Sequence, residues 1–98
     1  MVELFGENAI TKTIDYLLEK RPFDSTKEEI IRGTGISRNT FFSAWERIER
    51  FGFVKKTRTI GRATLYSLDE ENPALRKLLE LEYSLIERSF KGKAVSIL

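Results

Sequence analysis

Ser37, Arg38, Asn39, Thr40, Ser43 and Arg47 fall within eleven positions and share a chemistry of short or planar hydrogen-bonding groups. On a helix, Arg38 lines up with Phe42 and Glu46, while Asn39 lines up with Ser43 and Arg47, extended by Arg50. Arginine matches the acceptor pair of guanine, asparagine the acceptor and donor of adenine, and a hydroxyl suits either a base or a phosphate. Helix surfaces that only cover a core usually carry Lys and Glu instead. Ser37 and the unpaired amides of the first turn also offer a place for an anion. Taken singly, Ser37 reads equally well as a plain cap and Arg38 as a solvated side chain. As a set placed after a helix and a glycine turn, they read as a face for base edges and phosphates.

That face needs support from behind. Phe41, Trp45 and Ile48 recur at helical spacing on the opposite side, with Ala44 beside them. Ser37 is the natural cap of such a helix, which extends to about Phe51, and Gly52 ends it.

Other chemistries are poorly served. The chain has 98 residues, no histidine and no cysteine, so the commonest general base and the commonest zinc ligands are missing. No metal or other cofactor is expected, nor an enzyme, because the carboxylates are spaced as surface pairs and no nucleophile stands with a base. Gly33 and Gly35 do not form a dinucleotide loop, since Arg38 occupies the third glycine position and no strand precedes them. No apolar run approaches the roughly 18 residues of a membrane span. The opening residues lack a signal-peptide order, so a cytoplasmic protein without membrane partners is expected.

The formal charge of +2 conceals an asymmetry. Residues 1–36 sum to −2, residues 37–68 to +5 and residues 69–90 to −3. A cationic middle third is the footprint of a polyanion binder. A merely solvated basic face would produce the same count.

Elsewhere, Asn8 caps a helix reaching about Lys20, with Ile10, Ile14, Leu17 and Leu18 inward. Arg21-Pro22 ends it and Phe23-Asp24-Ser25 runs extended. Ser25 with Glu28 has the form of a capping box for a helix over Thr26–Arg32, whose inward residues are Ile30 and Ile31. Gly33 suits the left-handed position after it. Two strands, about Val54–Arg58 and Ala63–Leu68, flank a turn at Thr59–Arg62 built on Gly61. Asn72-Pro73 opens a last helix to about Phe90.

The run Gly35-Ile36-Ser37-Arg38-Asn39-Thr40-Phe41, then Trp45, Ile48-Glu49 and Gly52-Phe53-Val54, resembles the helix-turn-helix signature of winged-helix DNA-binding proteins. The order of elements over residues 8–90 is similar to small winged-helix transcription regulators of bacterial and archaeal type. The resemblance implies a mostly α fold with a small β-hairpin wing and a long C-terminal helix for dimerisation. Residues 1–72 would be the DNA-binding part and 73–98 the dimerisation helix and tail, within one structural unit. It further implies that the Ser37–Phe51 helix enters a major groove while the hairpin touches flanking backbone or minor groove. Phe51 departs from the pattern, where a polar residue is usual, and is expected to pack on the last helix.

The hairpin is chemically suited to that role. Arg58, Thr59 and Arg62 bracket Gly61 at its tip, within reach of phosphates or a narrow minor groove. Of Lys55 and Lys56 at its base, one is expected to face solvent or phosphate, and Lys56 is carried as the candidate. A soluble basic turn would look the same. Thr26 and Lys27 are candidates for a further phosphate contact. Three roles are open to Phe42: a thymine methyl contact, packing under the hairpin, or packing on another subunit.

In the last helix, apolar residues cover a wider arc than one core-facing stripe needs. Leu75, Leu78, Leu79, Leu85 and Ile86 are the candidate seam of a two-fold homodimer. Glu82 lies in the middle of the arc and needs a basic or hydroxyl partner, or the wet edge of the seam. The leading expectation is a homodimer that reads a palindromic double-stranded DNA site and regulates transcription. The alternatives are a protein-interaction module of a transcription or replication assembly, and an architectural or partition-type DNA binder.

Overall fold

The computed structural model describes residues 1–97, and the side chains of all of these except Glu3 and 89–97. In chain order the elements are α1 (Val2–Phe5), α2 (Ala9–Lys20), β1 (Ser25–Thr26), α3 (Lys27–Thr34), α4 (Arg38–Arg50), β2 (Val54–Ile60), β3 (Ala63–Leu68) and α5 (Pro73–Ile97).

Local chemistry sets most boundaries. Asn8 caps α2 by accepting from the amides of Ile10 and Thr11, each at 3.0 Å, and the Thr11 hydroxyl accepts from the Asn8 amide in return. Thr11 and Thr13, not foreseen as core, are buried because their hydroxyls turn back onto the carbonyls of Gly6 and Ala9. Ahead of α2, Met1 is buried and its amine pairs with Asp15 and with Glu82 of α5.

The box expected at Ser25 and Glu28 sits one residue later. Thr26 caps α3 and exchanges hydrogen bonds with Glu29. Ser25 is unavailable because it is buried in β1, paired antiparallel with Tyr66 of β3. The whole helix shifts with its cap, so Gly33 lies inside α3 and Gly35 takes the left-handed position at φ +73°. Gly33 has a packing reason instead: a Cβ there would fall 2.3 Å from Cε2 of the Tyr16 ring on α2.

The three strands form one antiparallel sheet in the order β1-β3-β2. The hairpin is longer and its turn tighter than expected, since Ile60 pairs with Ala63 and only Gly61 and Arg62 connect them. Gly61 alone supplies positive φ there, at +59°. Thr57 is squeezed out of register, leaving Lys56 opposite Tyr66 and Arg58 opposite Leu65. Such a bulge twists and re-aims a strand.

The core gathers Ile14 and Leu17 of α2, Ile30 of α3, Phe41 and Trp45 of α4, Tyr66 and Leu68 of β3, and Leu75 of α5. Phe41 and Trp45 stack at 5.4 Å, and Trp45 meets Tyr66 edge-on at 4.9 Å, which binds α4 to the sheet. Asn72 joins α4 to α5. Its amide nitrogen donates to the carbonyls of Phe51 and Gly52, and its oxygen caps α5 through the amides of Ala74 and Leu75.

Two expectations for α5 change. The helix continues to Ile97 and does not stop near Phe90. Whether residues 91–98 pack on another surface concerns side chains outside the described set. Leu75 is fully buried under its own chain as a member of the hydrophobic core, so it has no surface left for a seam with a partner. Phe51 differs from expectation: the residue is 60% exposed, its ring lies 5.7 Å from that of Phe53, and its carbonyl accepts from the Asn72 side chain just ahead of α5.

Candidate nucleic-acid interface

Ser37 opens α4 by accepting from the Thr40 amide at 3.4 Å, and its hydroxyl donates to Thr40 Oγ1 at 2.9 Å. Both side chains therefore stabilise the first turn and remain exposed. With Phe41, Ala44, Trp45 and Ile48 buried, the rotation of α4 is determined, and Arg38, Asn39, Phe42, Ser43 and Arg47 all point outward.

Asn39, Thr40, Ser43 and Arg47 line one side of an open groove of about 580 Å³, whose other side is Asn8, Ala9 and Ile10 at the start of α2. This placement brings the capped N-terminus of α2 beside the polar line of α4. Sequence spacing did not link the two, because some thirty residues separate them.

Arg38 is not simply solvated. Its Nη1 donates to both carboxylate oxygens of Glu28 on α3, at 2.6 and 2.7 Å, and its guanidinium lies 5.5 Å from the centre of the Phe42 ring. Phe42 itself is 41% exposed and meets Phe41 edge-on at 5.3 Å. Its second cation is Lys27, whose Nζ is 5.8 Å from this ring, 5.6 Å from Trp45 and 5.4 Å from Tyr66. Lys27 also stands 4.0 Å from Glu49. A lysine held over three rings at the junction of α3, α4 and β3 is a packing element, and Thr26 is occupied as a cap.

On the wing, Lys55, Lys56, Arg58, Thr59 and Arg62 are all exposed, so the choice between the two lysines does not arise. Arg58 is engaged by Asp24, which accepts from Nε at 3.0 Å and Nη2 at 3.1 Å and also from the hydroxyl of the bulged Thr57. These bonds, Arg58 first and Thr57 next, hold the Asp24 carboxyl below the usual aspartate range, and the same carboxylate raises the Arg58 guanidinium. Arg58 is thus a strut of the wing with Nη1 and the second N–H of Nη2 left over, whereas Arg62 stands at the turn beside Ala63 and Thr64.

Helix, turn, capped helix and a three-stranded sheet with a projecting hairpin make one architecture. The fold is a winged helix. The structure of a double mutant of Lactococcus lactis ZitR in apo form is similar to it, with a TM-score of 0.59 over 93% of this chain and 70% of that one, at 19% identity. In that form one cysteine and one histidine are replaced by alanine, residue types that this winged-helix chain does not contain. No family model and no curated protein matches the sequence. Among the described residues, no group of acidic side chains could hold a metal ion, and no helix is long and apolar enough to cross a membrane.

Sequence reading missed Glu28 and Asp24 as partners of this surface, and took Lys27 for a phosphate contact without seeing its place over the rings. Each acts across ten or more positions, and nothing in local spacing marks such pairs.

Proposed function

We propose that the chain is a homodimeric double-stranded DNA-binding protein that reads a palindromic site and regulates transcription. The observation that carries the proposal is the sorting of α4: an apolar side sealed into the core and an outward side of Arg38, Asn39, Ser43 and Arg47 beside a cationic wing. In this reading α4 lies in a major groove, Asn39, Ser43 and Arg38 face base edges, and Ser37, Thr40 and Arg47 stay close to the backbone. Lys56, Thr59 and Arg62 follow the neighbouring phosphates, with Arg58 bracing them. The likeness to the ZitR structure supports the winged-helix fold on which this reading stands.

The dimer rests on α5. Leu81, Tyr83, Leu85 and Ile86 are exposed on it, as are Leu4 and Phe5 of α1. Leu78 and Leu79 are half-buried and close the near end of that face. A second α5 would cover these side chains and set two α4 helices about 34 Å apart, one duplex turn. Glu82 contributes from within each subunit, as the carboxylate that seats the Met1 amine.

Selection of duplexes from a random pool tests the reading. A two-fold symmetric consensus is expected, with log affinity falling against log salt at a slope of about −5 for roughly three phosphate contacts per subunit. Bound duplexes with no common sequence would point to architectural binding, and no duplex binding at all would reject the proposal.

A further inference from the structure

Arg38 and Glu28 are both more than half exposed, so their ion pair contributes little to stability. Its geometry, however, is specific. Only Nη1 is taken, by both carboxylate oxygens, and the central carbon of the guanidinium lies 5.5 Å from the centre of the Phe42 ring. The Nε and Nη2 edge is left as a pair of parallel donors at the first turn of α4. That edge matches the O6 and N7 acceptors of guanine in the major groove.

We infer that Glu28 is a positioning residue for base recognition, holding Arg38 against Phe42 so that its Nε–Nη2 edge reads one guanine in each half-site. This inference rests on the reading of α4 as the base-contacting helix. The physical reasons are two. Arginine has many rotamers, and ordering them before binding removes that cost from the recognition step. A carboxylate beside the guanidinium also offsets its charge, which makes Arg38 a poor phosphate ligand while leaving its donor geometry intact. Glu28 therefore lowers affinity for duplex in general and raises it for the right base. Phe42 then needs no partner of its own, because its exposed ring is the platform for Arg38.

The test uses the full chain and the consensus duplex obtained from a random pool, together with duplexes changed at single guanines. Glu28→Ala is expected to bind duplexes that lack the guanine several-fold more tightly and the consensus duplex no more tightly, so that its preference for that guanine falls about tenfold while its salt dependence steepens. Glu28→Gln, which keeps an acceptor for Nη1 without the charge, is expected to show the tighter general binding but retain the preference. Arg38→Ala should lose the same guanine preference, with no further loss in the double variant. Thermal unfolding of both Glu28 variants should match that of the parent, which separates positioning from a structural role. A parent that prefers a guanine through Arg38, with Glu28→Ala preferring it equally, overturns the inference alone. A parent with no base preference, or one whose preference survives Arg38→Ala, overturns it together with the reading of α4 beneath it.

Discussion

Asp24 grips Arg58 through two nitrogens, at 3.0 and 3.1 Å, across 34 positions of sequence, and takes the bulged Thr57 as a third donor. The chain between α2 and β1 is thereby pinned to the middle of β2, which fixes how the wing stands on the body. The carboxyl titrates below its ordinary value because its charged form receives these bonds. A depressed folded value means that the stabilisation is complete above the unfolded aspartate range and is lost as pH falls through the folded value. Denaturation followed from neutral pH down to about pH 2 should therefore show a loss of stability beginning near pH 4. Asp24→Asn should flatten that part of the profile. An unchanged acid limb would show that the wing is held by something else.

Asn72 uses both ends of its amide, donating to Phe51 and Gly52 and accepting from the first amides of α5. Asn72→Ala removes a cap and leaves two carbonyls at the end of α4 unpaired, a loss of about 2 kcal/mol in urea unfolding. Asn72→Asp keeps the acceptor but turns a carboxylate toward those carbonyls. It should be no better than alanine, in contrast to an ordinary helix cap, where aspartate and asparagine are equivalent.

Gly33 sits in a helix, where alanine would ordinarily add about 1 kcal/mol. Here the added methyl would meet the Tyr16 ring at 2.3 Å, so the ring must move. Gly33→Ala is expected to bring no gain in the parent chain. Alongside Tyr16→Ala the helix-propensity gain should reappear, and a double-mutant cycle on unfolding free energies measures the difference.

Arg62 stands at the hairpin turn, where sequence-independent contact is the expected role. Arg62→Ala should weaken binding to all duplexes alike and make the salt slope shallower by about 1 for each phosphate no longer neutralised. A change in preferred sequence without a change in slope would instead place this side chain at base edges.

What could be read without coordinates was whatever is written in local spacing. The rotation of α4 follows from Phe41, Trp45 and Ile48, and its start from Ser37, because periodicity and capping act within one or two turns. The break at Gly52, the hairpin about Gly61 and the start of α5 after Asn72 are of the same kind. Where two local readings compete, spacing cannot choose. Ser25 with Glu28 and Thr26 with Glu29 both spell a capping box, and the pairing of Ser25 with Tyr66, forty-one positions away, decides for the second.

The arrangement of charge belongs to the tertiary structure. Composition marks the middle third as cationic, yet only the folded chain shows that Arg58 is committed to Asp24, Arg38 shared with Glu28 and Lys27 sunk among three rings. Likewise, the apolar excess of α5 is visible in its residues, while the division into a buried Leu75 and an exposed Leu85 and Ile86 depends on what α1, α2 and β3 cover. Residue type and spacing determine which groups a helix can offer. Which of them stay open to a ligand depends on contacts between distant segments, whose cost in chain entropy is offset only when the whole domain closes.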